Sequence, residues 1–215
     1  MLYAEDKLGQ KIAPVKQGQE AVDPYSGGQV EGEIFSNPNY WRLMNGGYDN
    51  WCLPVCAWSL KWKQCFSKSS VEIVLDKGGI KHIADVQTSK GTVVKFQNRM
   101  LNREELLQRE AFFGKMIWIF KALAWDIDLV QNPKYYTGEH GRNRQLPEGN
   151  WVKFRFTHVK SRLGVCKMPV FIDLGDDYLY LLNWQLFDKK LVAQFNLNKG
   201  VMKFWNKKDI IKKYQ

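Results

Sequence analysis

The sequence predicts an α/β fold from three observations: a three-strand meander, a capped helix running into an apolar strand, and a C-terminal third that alternates as β. Val71–Leu75 reads as a strand, Asp76–Gly79 as a turn, and Ile80–Gln87 as a second strand. Ser89-Lys90-Gly91 turns the chain into a third strand over Thr92–Gln97. Asn102 with Glu105 forms a capping box that opens a helix to Phe113, and Gly114 ends it. Lys115–Phe120 is apolar enough for a buried strand. Together these elements make a two- or three-layer core.

The flanks are less regular. Residues 1–50 are rich in Gly, Pro, Asn and Gln and read as loops with short strands, such as Gln29–Phe35. Pro54–Phe66 suits a helix of about three turns, with Pro54 in its first turn and Val55, Trp58, Leu60, Trp62 and Phe66 on its buried side. Gln131–Asn150 reads as a long surface loop. Trp151–Thr157 alternates as a strand, and Gly175-Asp176-Asp177 joins Met168–Leu174 to Tyr178–Asn183 as a hairpin. Asn206 can cap a short basic helix over Lys207–Tyr214.

At 215 residues the chain can bury one sizeable core. No apolar run approaches the roughly 20 residues a membrane helix needs. The opening MLYAED is neither basic nor followed by an apolar stretch, so no secretory signal is visible. The four cysteines Cys52, Cys56, Cys65 and Cys166 are too few for a disulfide scaffold and fit reduced thiols, with a cytoplasmic location expected. The Cys52-x3-Cys56 pair lacks a second Cys or His pair nearby, so no zinc is expected. A net charge of +10 and a pI near 9.4 favour a polyanionic partner.

The chemistry centres on the meander. His82 and Asp85 have opposite parity on one strand, so an uninterrupted strand points them to opposite faces. Asp85 lies between Ala84 and Val86, where an acid either serves a site or faces solvent at the strand edge. An acid on one strand with an acid-x-Lys/Gln group on the next is how metal-dependent nucleases of the PD-(D/E)xK type hold Mg²⁺. Here position 95, on the face of Gln97, is lysine. Lys95 can neutralise Asp85 or touch phosphate, but it cannot coordinate a hard cation. Glu72 on the first strand could reach the same place, or be an exposed carboxylate paired with a lysine. Glu104 and Glu105 stand where helix dipoles favour acids. Arg109 is either on a solvated face or a phosphate contact.

Lys153, Arg155, Lys160 and Arg162, around Phe154, Phe156 and His158, make the densest basic-aromatic cluster. Alternation sends Lys153 and Arg155 to one face and the two phenylalanines to the core, leaving the cations solvated or ready for phosphate.

Trp58, Trp62-Lys63, Glu72, the run His82-Ile83-Ala84-Asp85-Val86, Phe96-Gln97, Glu104-Glu105, Arg109, Phe112 and Ile117-Trp118 keep a spacing that resembles the competence protein CoiA-like nuclease family over about residues 20–120. The resemblance implies a restriction-endonuclease-like core, a mixed sheet flanked by helices, with a ribbon-like N-terminal module and a β-rich C-terminal part. The departures fall on ligand positions. Asp23-Pro24-Tyr25-Ser26-Gly27 replaces the family's Cys-Pro-x-Cys-Gly, Tyr40 and Leu43 replace its HxxH pair, and Val55-Cys56-Ala57-Trp58-Ser59 replaces Glu-x-Glu-Trp-His. The family's strand Glu is Lys95.

The expected organisation is a degenerate ribbon-like module over 1–50, a nuclease-like core over 51–125, and a β-rich extension with a basic terminal helix over 126–215. The expected function is nucleic-acid binding, DNA above all, on a catalytically degenerate scaffold without a cofactor. Asp85, Gln97, Glu72, His82 and Lys95 are what is left of the site, and Arg109, Lys153, Arg155, Lys160 and Arg162 are the binding residues. Two alternatives stand beside it. One is an active Mg²⁺-dependent nuclease, with Glu72 or Glu104 joining Asp85 as metal ligands; the other is a protein-interaction module reusing the fold.

Overall fold

The computed structural model describes residues 1–34, 38–52, 56–131, 133, 135–137, 143–146, 148–156, 161–183 and 199–215. The fold is mixed α/β, mostly sheet with few helices. Its contacts divide the chain into two compact units, Met1–Phe96 with Gln215, and Gln97–Tyr214.

The first unit opens with five short strands: β1 (Ala4–Glu5), β2 (Lys11–Ile12), β3 (Glu20–Val22), β4 (Gln29–Glu33) and β5 (Tyr40–Leu43). They pair antiparallel in the order β2-β1-β3-β4-β5. Loops were expected to dominate here, yet strands too short to show a period join into a continuous sheet. One face carries a small core of Ala4, Ala21, Val30 and Trp41. The Trp41 indole N–H donates to the Ile12 carbonyl at 3.0 Å, so the buried ring keeps its polar group satisfied. Of the expected Gln29–Phe35 strand, Gln29–Glu33 forms; Phe35 lies outside the described residues.

Helix α1 (Ala57–Gln64) is capped by Cys56, shorter than the reading from Pro54 to Phe66. Pro54 and Val55 lie outside the described residues. Strands β6 (Val71–Lys77), β7 (Ile80–Gln87) and β8 (Val93–Gln97) form the expected antiparallel meander. Gly78 and Gly79 take φ of 64° and 85°, the left-handed pair that a two-residue hairpin loop requires. Phe96 is surrounded by Trp58, Trp62 and Phe66, at ring-centroid distances of 6.1, 5.7 and 6.4 Å. That aromatic cluster seats α1 on the meander.

The second unit begins with α2 (Arg103–Phe113), whose capping box between Asn102 and Glu105 forms in both directions and whose end is set by Gly114 at φ 70°. There follow β9 (Met116–Lys121), β10 (Ile127–Gln131), β11 (Tyr135–Thr137), β12 (Asn143–Gln145), β13 (Trp151–Phe156), β14 (Val170–Asp173), β15 (Tyr178–Leu181), β16 (Lys199–Asn206) and helix α3 (Lys207–Tyr214). Six of them line up as β10-β13-β16-β15-β14-β9, antiparallel except for the parallel β14–β9 pair. The buried Glu110 carboxylate takes the Trp118 indole N–H at 3.0 Å and the Lys167 and Met168 backbone N–H groups at 2.9 and 3.2 Å. It thereby ties α2 to β9 and to the approach to β14. The stretch 131–150, expected as loop, contains the β11–β12 ladder, whose three-residue strands fall below what alternation can reveal. Asn206 caps α3 as expected, accepting from the Lys208 N–H at 2.9 Å.

A Cβ added at Gly28 would lie 2.1 Å from the Asn45 carbonyl oxygen, a backbone atom that cannot step aside. Gly28→Ala should therefore destabilise the first unit by about 1–3 kcal/mol in urea unfolding, and Asn102→Ala should cost about 1 kcal/mol through the lost cap.

Candidate functional site

The register of the meander lines up the residues that matter. Val71 pairs with Val86 and Ile73 with Ala84, which sets Glu72 opposite Asp85. Val86 pairs with Val94 and Gln87 with Val93, and continuing that register sets Asp85 opposite Lys95. Glu72, Asp85 and Lys95 thus form a row across three adjacent strands, and all three are buried. Neither the solvent-facing reading of Asp85 nor the exposed reading of Glu72 holds.

Two carboxylates placed opposite each other in a core need cations, and the fold supplies two. Lys63, from the last turn of α1, reaches the Glu72 carboxylate at 3.0 Å and Asp85 Oδ1 at 3.1 Å. Lys95 Nζ stands 3.0 Å from Asp85 Oδ2 and donates to the Ile83 carbonyl at 3.0 Å. Asp85 Oδ2 also accepts the Phe96 N–H at 3.1 Å. Glu72 accepts the Leu2 N–H at 2.9 and 3.0 Å and the Tyr3 N–H at 3.1 Å. It does so from a backbone φ of 52°, a left-handed conformation that a non-glycine residue holds only when its surroundings fix it.

The electrostatics follow the contacts. Burial by itself would raise the Asp85 carboxyl, but Lys95 and Lys63 outweigh it and hold the group down at about 2. Glu72 is lowered in the same way: burial opposes ionisation, while Lys63 and the Tyr3 N–H override it. Burial would lower the Lys63 ammonium, and the two carboxylates instead raise it. Two anions and two cations leave the tetrad neutral.

The resemblance implies Mg²⁺ here, and the donor set does not fit one. The space between Glu72 and Asp85 holds an ammonium, a second ammonium sits on the other oxygen of Asp85, and no group of three or more His, Cys, Asp or Glu suited to a metal occurs among the described residues. Glu104 is exposed in the first turn of α2. The residues expected to stand in for metal ligands near the N-terminus are likewise satisfied within the protein. Asp23 takes the Ser26 hydroxyl at 2.7 Å and the Tyr25 N–H at 3.1 Å, closing a turn by hydrogen bonds. Tyr40 and Leu43 are the ends of β5. Burial pushes the Cys52 thiol up to about 11, and Cys56 caps α1.

His82 belongs to a different cluster from Asp85, as strand parity requires. Its Nδ1 stands 2.9 Å from Asp49, and its ring stacks on Trp51 with centroids 3.4 Å apart. Asp49 further accepts the Ile83 N–H at 2.7 Å and the Trp51 N–H at 2.9 Å, pinning the segment before α1 to β7. Gln97 is buried, and neither atom of its amide has a hydrogen-bond partner among the described residues. Sequence reasoning missed Lys63 and Asp49 as members of these clusters. Only Lys63 left a signal, as a cation beside the buried Trp62 on a helix that carries no acid.

Of the expected binding residues, Lys153 and Arg155 are exposed and alternate with buried Phe154 and Phe156. Arg162 is exposed in the 3₁₀ turn Ser161–Val165, and Lys160 lies outside the described residues. Arg109 corrects the expectation: it is wholly buried, turned inward with Leu106, Glu110 and Phe113, and offers no surface to solvent or to phosphate. Its guanidinium is 3.7 Å from Glu105, one helical turn back.

Comparison of the chain with protein-family models, with curated proteins and with solved structures finds no match. No described helix is long and apolar enough to cross a membrane.

Lys63→Met removes the cation shared by Glu72 and Asp85 and should cost about 3–5 kcal/mol in chemical denaturation. The pH dependence has a fixed sign. Asp85 binds its proton more weakly folded than unfolded, so its stabilisation of about 2 kcal/mol is present above pH ~4 and is lost as pH falls toward 2. Lys63 acts in the opposite direction and contributes fully at any pH below its ordinary value of about 10.5. Asp85→Asn should flatten the acid limb of the Tm-against-pH curve relative to the parent chain.

Proposed function

We propose that the chain is a nucleic-acid-binding protein built on a CoiA-like, restriction-endonuclease-like scaffold whose metal site has been closed from within. The observation that carries this reading is the pair of ammonium groups, Lys63 and Lys95, set against Glu72 and Asp85 in a row across three strands. Where a nuclease of this kind would use acids to hold Mg²⁺, this chain uses lysines to cancel the same acids. The packing residues around the row, including Trp62, Ala84, Val86 and Phe96, are buried as a working core requires. The chain's net charge of +10 supplies attraction to a polyanion that the buried tetrad does not provide.

The test is incubation of the protein with plasmid, linear and single-stranded DNA, and with RNA, in Mg²⁺ or Mn²⁺, beside an Asp85→Ala control. The expected outcome is no cleavage, with retardation of nucleic acid on a native gel. Cleavage that disappears in the control would overturn the silent site, and absence of any retardation at low salt would overturn the binding role. Replacing both lysines, as Lys63→Ala with Lys95→Glu, should create a Mn²⁺-dependent rise in Tm that the parent chain lacks.

A further inference from the structure

The strand edges of the first unit are short or covered. β2 has two residues. On β5 the Trp41 N–H and carbonyl are bonded to Met1 at 2.8 and 3.0 Å, and along β6 the Lys11 ammonium donates to the Val71 and Glu72 carbonyls. β10 of the second unit differs. Among the described residues it pairs with β13 alone, which leaves one side of a five-residue strand without a neighbour. Its sequence, Ile127-Asp128-Leu129-Val130-Gln131, holds neither the lysine nor the proline that commonly guards such an edge. Val130 is 59% exposed, and Ile127 and Leu129 are half-buried, with Phe156 and Phe154 opposite them on β13. On the other face Asp128 opposes Arg155 and Val130 opposes Lys153.

We propose that β10 is where a second copy of this chain pairs, edge to edge and antiparallel, about a two-fold axis through Leu129. That axis uses the whole strand: it sets Leu129 against Leu129, Ile127 against Gln131 and Asp128 against Val130. Two consequences favour a second copy over a foreign strand. On the face of Phe154 and Phe156, the two half-buried Leu129 side chains meet at the axis, so the apolar row from Phe154 continues into the second copy. On the opposite face the charges are complementary. Lys153 and Val130 stand in one row, and the axis brings the second copy's Asp128 next in it, followed by that copy's Arg155. Lys153 and that Asp128 are two strand spacings apart, about 9.6 Å, a gap that a long lysine side chain spans over the short Val130. Each Asp128 thus lies between its own Arg155 and the other copy's Lys153, and the contact occurs twice. One such pairing buries less than the roughly 1,600 Å² of a standard interface, so the dimer is a weak one, in the micromolar range.

The experiment is sedimentation velocity of the full chain, without nucleic acid, over loading concentrations from about 1 to about 100 µM, a span that brackets a weak interface. The parent is compared with three variants. Asp128→Lys turns each cross-axis pair into two facing lysines, and Asp128→Lys/Lys153→Asp restores the attraction with its signs exchanged. Leu129→Lys puts like charges directly opposite each other on the axis. Equal melting temperatures show that each variant is folded. The expected result is a concentration-dependent dimer of the parent, weakened at least about tenfold in Asp128→Lys because each substitution acts twice, recovered in the charge-exchanged chain, and absent in Leu129→Lys. A parent chain that stays monomeric throughout overturns the second copy as occupant of this edge. An undiminished dimer of Asp128→Lys or of Leu129→Lys overturns the edge as the interface. A charge-exchanged chain no stronger than Asp128→Lys overturns the register.

Discussion

The neutralisation of Glu72 and Asp85 by Lys63 and Lys95 is the constraint on which the first unit depends. Opposed carboxylates in a core repel, and each loses the hydration that stabilised its charge. Burying one ion costs several kcal/mol unless a partner at hydrogen-bond distance offsets it. The fold meets that cost with contacts of 3.0 and 3.1 Å, and each contact also performs a structural task. Lys63 reaches the acids only if α1 lies where Trp58, Trp62 and Phe66 surround Phe96. Glu72, bent to a left-handed φ, carries its charge to the Leu2 and Tyr3 N–H groups and so fixes the start of the five-stranded sheet. Helix, meander and small sheet are joined through one neutral cluster.

That cluster is chemically quiet for the reason it is stable. A general base works best with a pKa near the operating pH. Asp85 is held at about 2, far too weakly basic, and Lys63 is held protonated, so it is neither base nor nucleophile. An ammonium is a cation with half the charge of Mg²⁺, and it lacks open coordination positions and cannot activate water as a Lewis acid. Deep ion pairing in a sheet of this kind serves to hold strands together.

Much of this was legible in the sequence where local rules act alone. The meander, the Asn102–Glu105 capping box, the Gly114 stop, the hairpin around Gly175 and the alternation of β13 each follow from patterns within a few residues. The lysine at position 95 also announced itself, because it stands where the nuclease-type pattern expects an acid to join Asp85. What was not legible depends on long-range packing. Strands of two or three residues, such as β1 to β3, show no period, and only pairing reveals them. Lys63 reads as a solvated helix cation until the sheet brings two acids under it. Arg109 likewise reads as surface, because nothing local says that its face of α2 turns inward alongside Leu106 and Phe113.

The same distinction, cations turned inward or outward, separates the two units electrostatically. A lysine paired with a buried carboxylate adds nothing to the field outside, whereas an exposed one acts over about a Debye length, roughly 8 Å at physiological salt. Lys63 and Lys95 therefore spend their charge inside the core, while Lys153 and Arg155 keep theirs at the surface. In β13 the outward direction is set by the core itself: with Phe154 and Phe156 committed to the buried face, period-two geometry leaves the intervening residues no choice but solvent. The hydrophobic effect that folds the second unit thus also presents its charges. The first unit, with eleven Lys and Arg against ten Asp and Glu, is close to neutral by balance of sign.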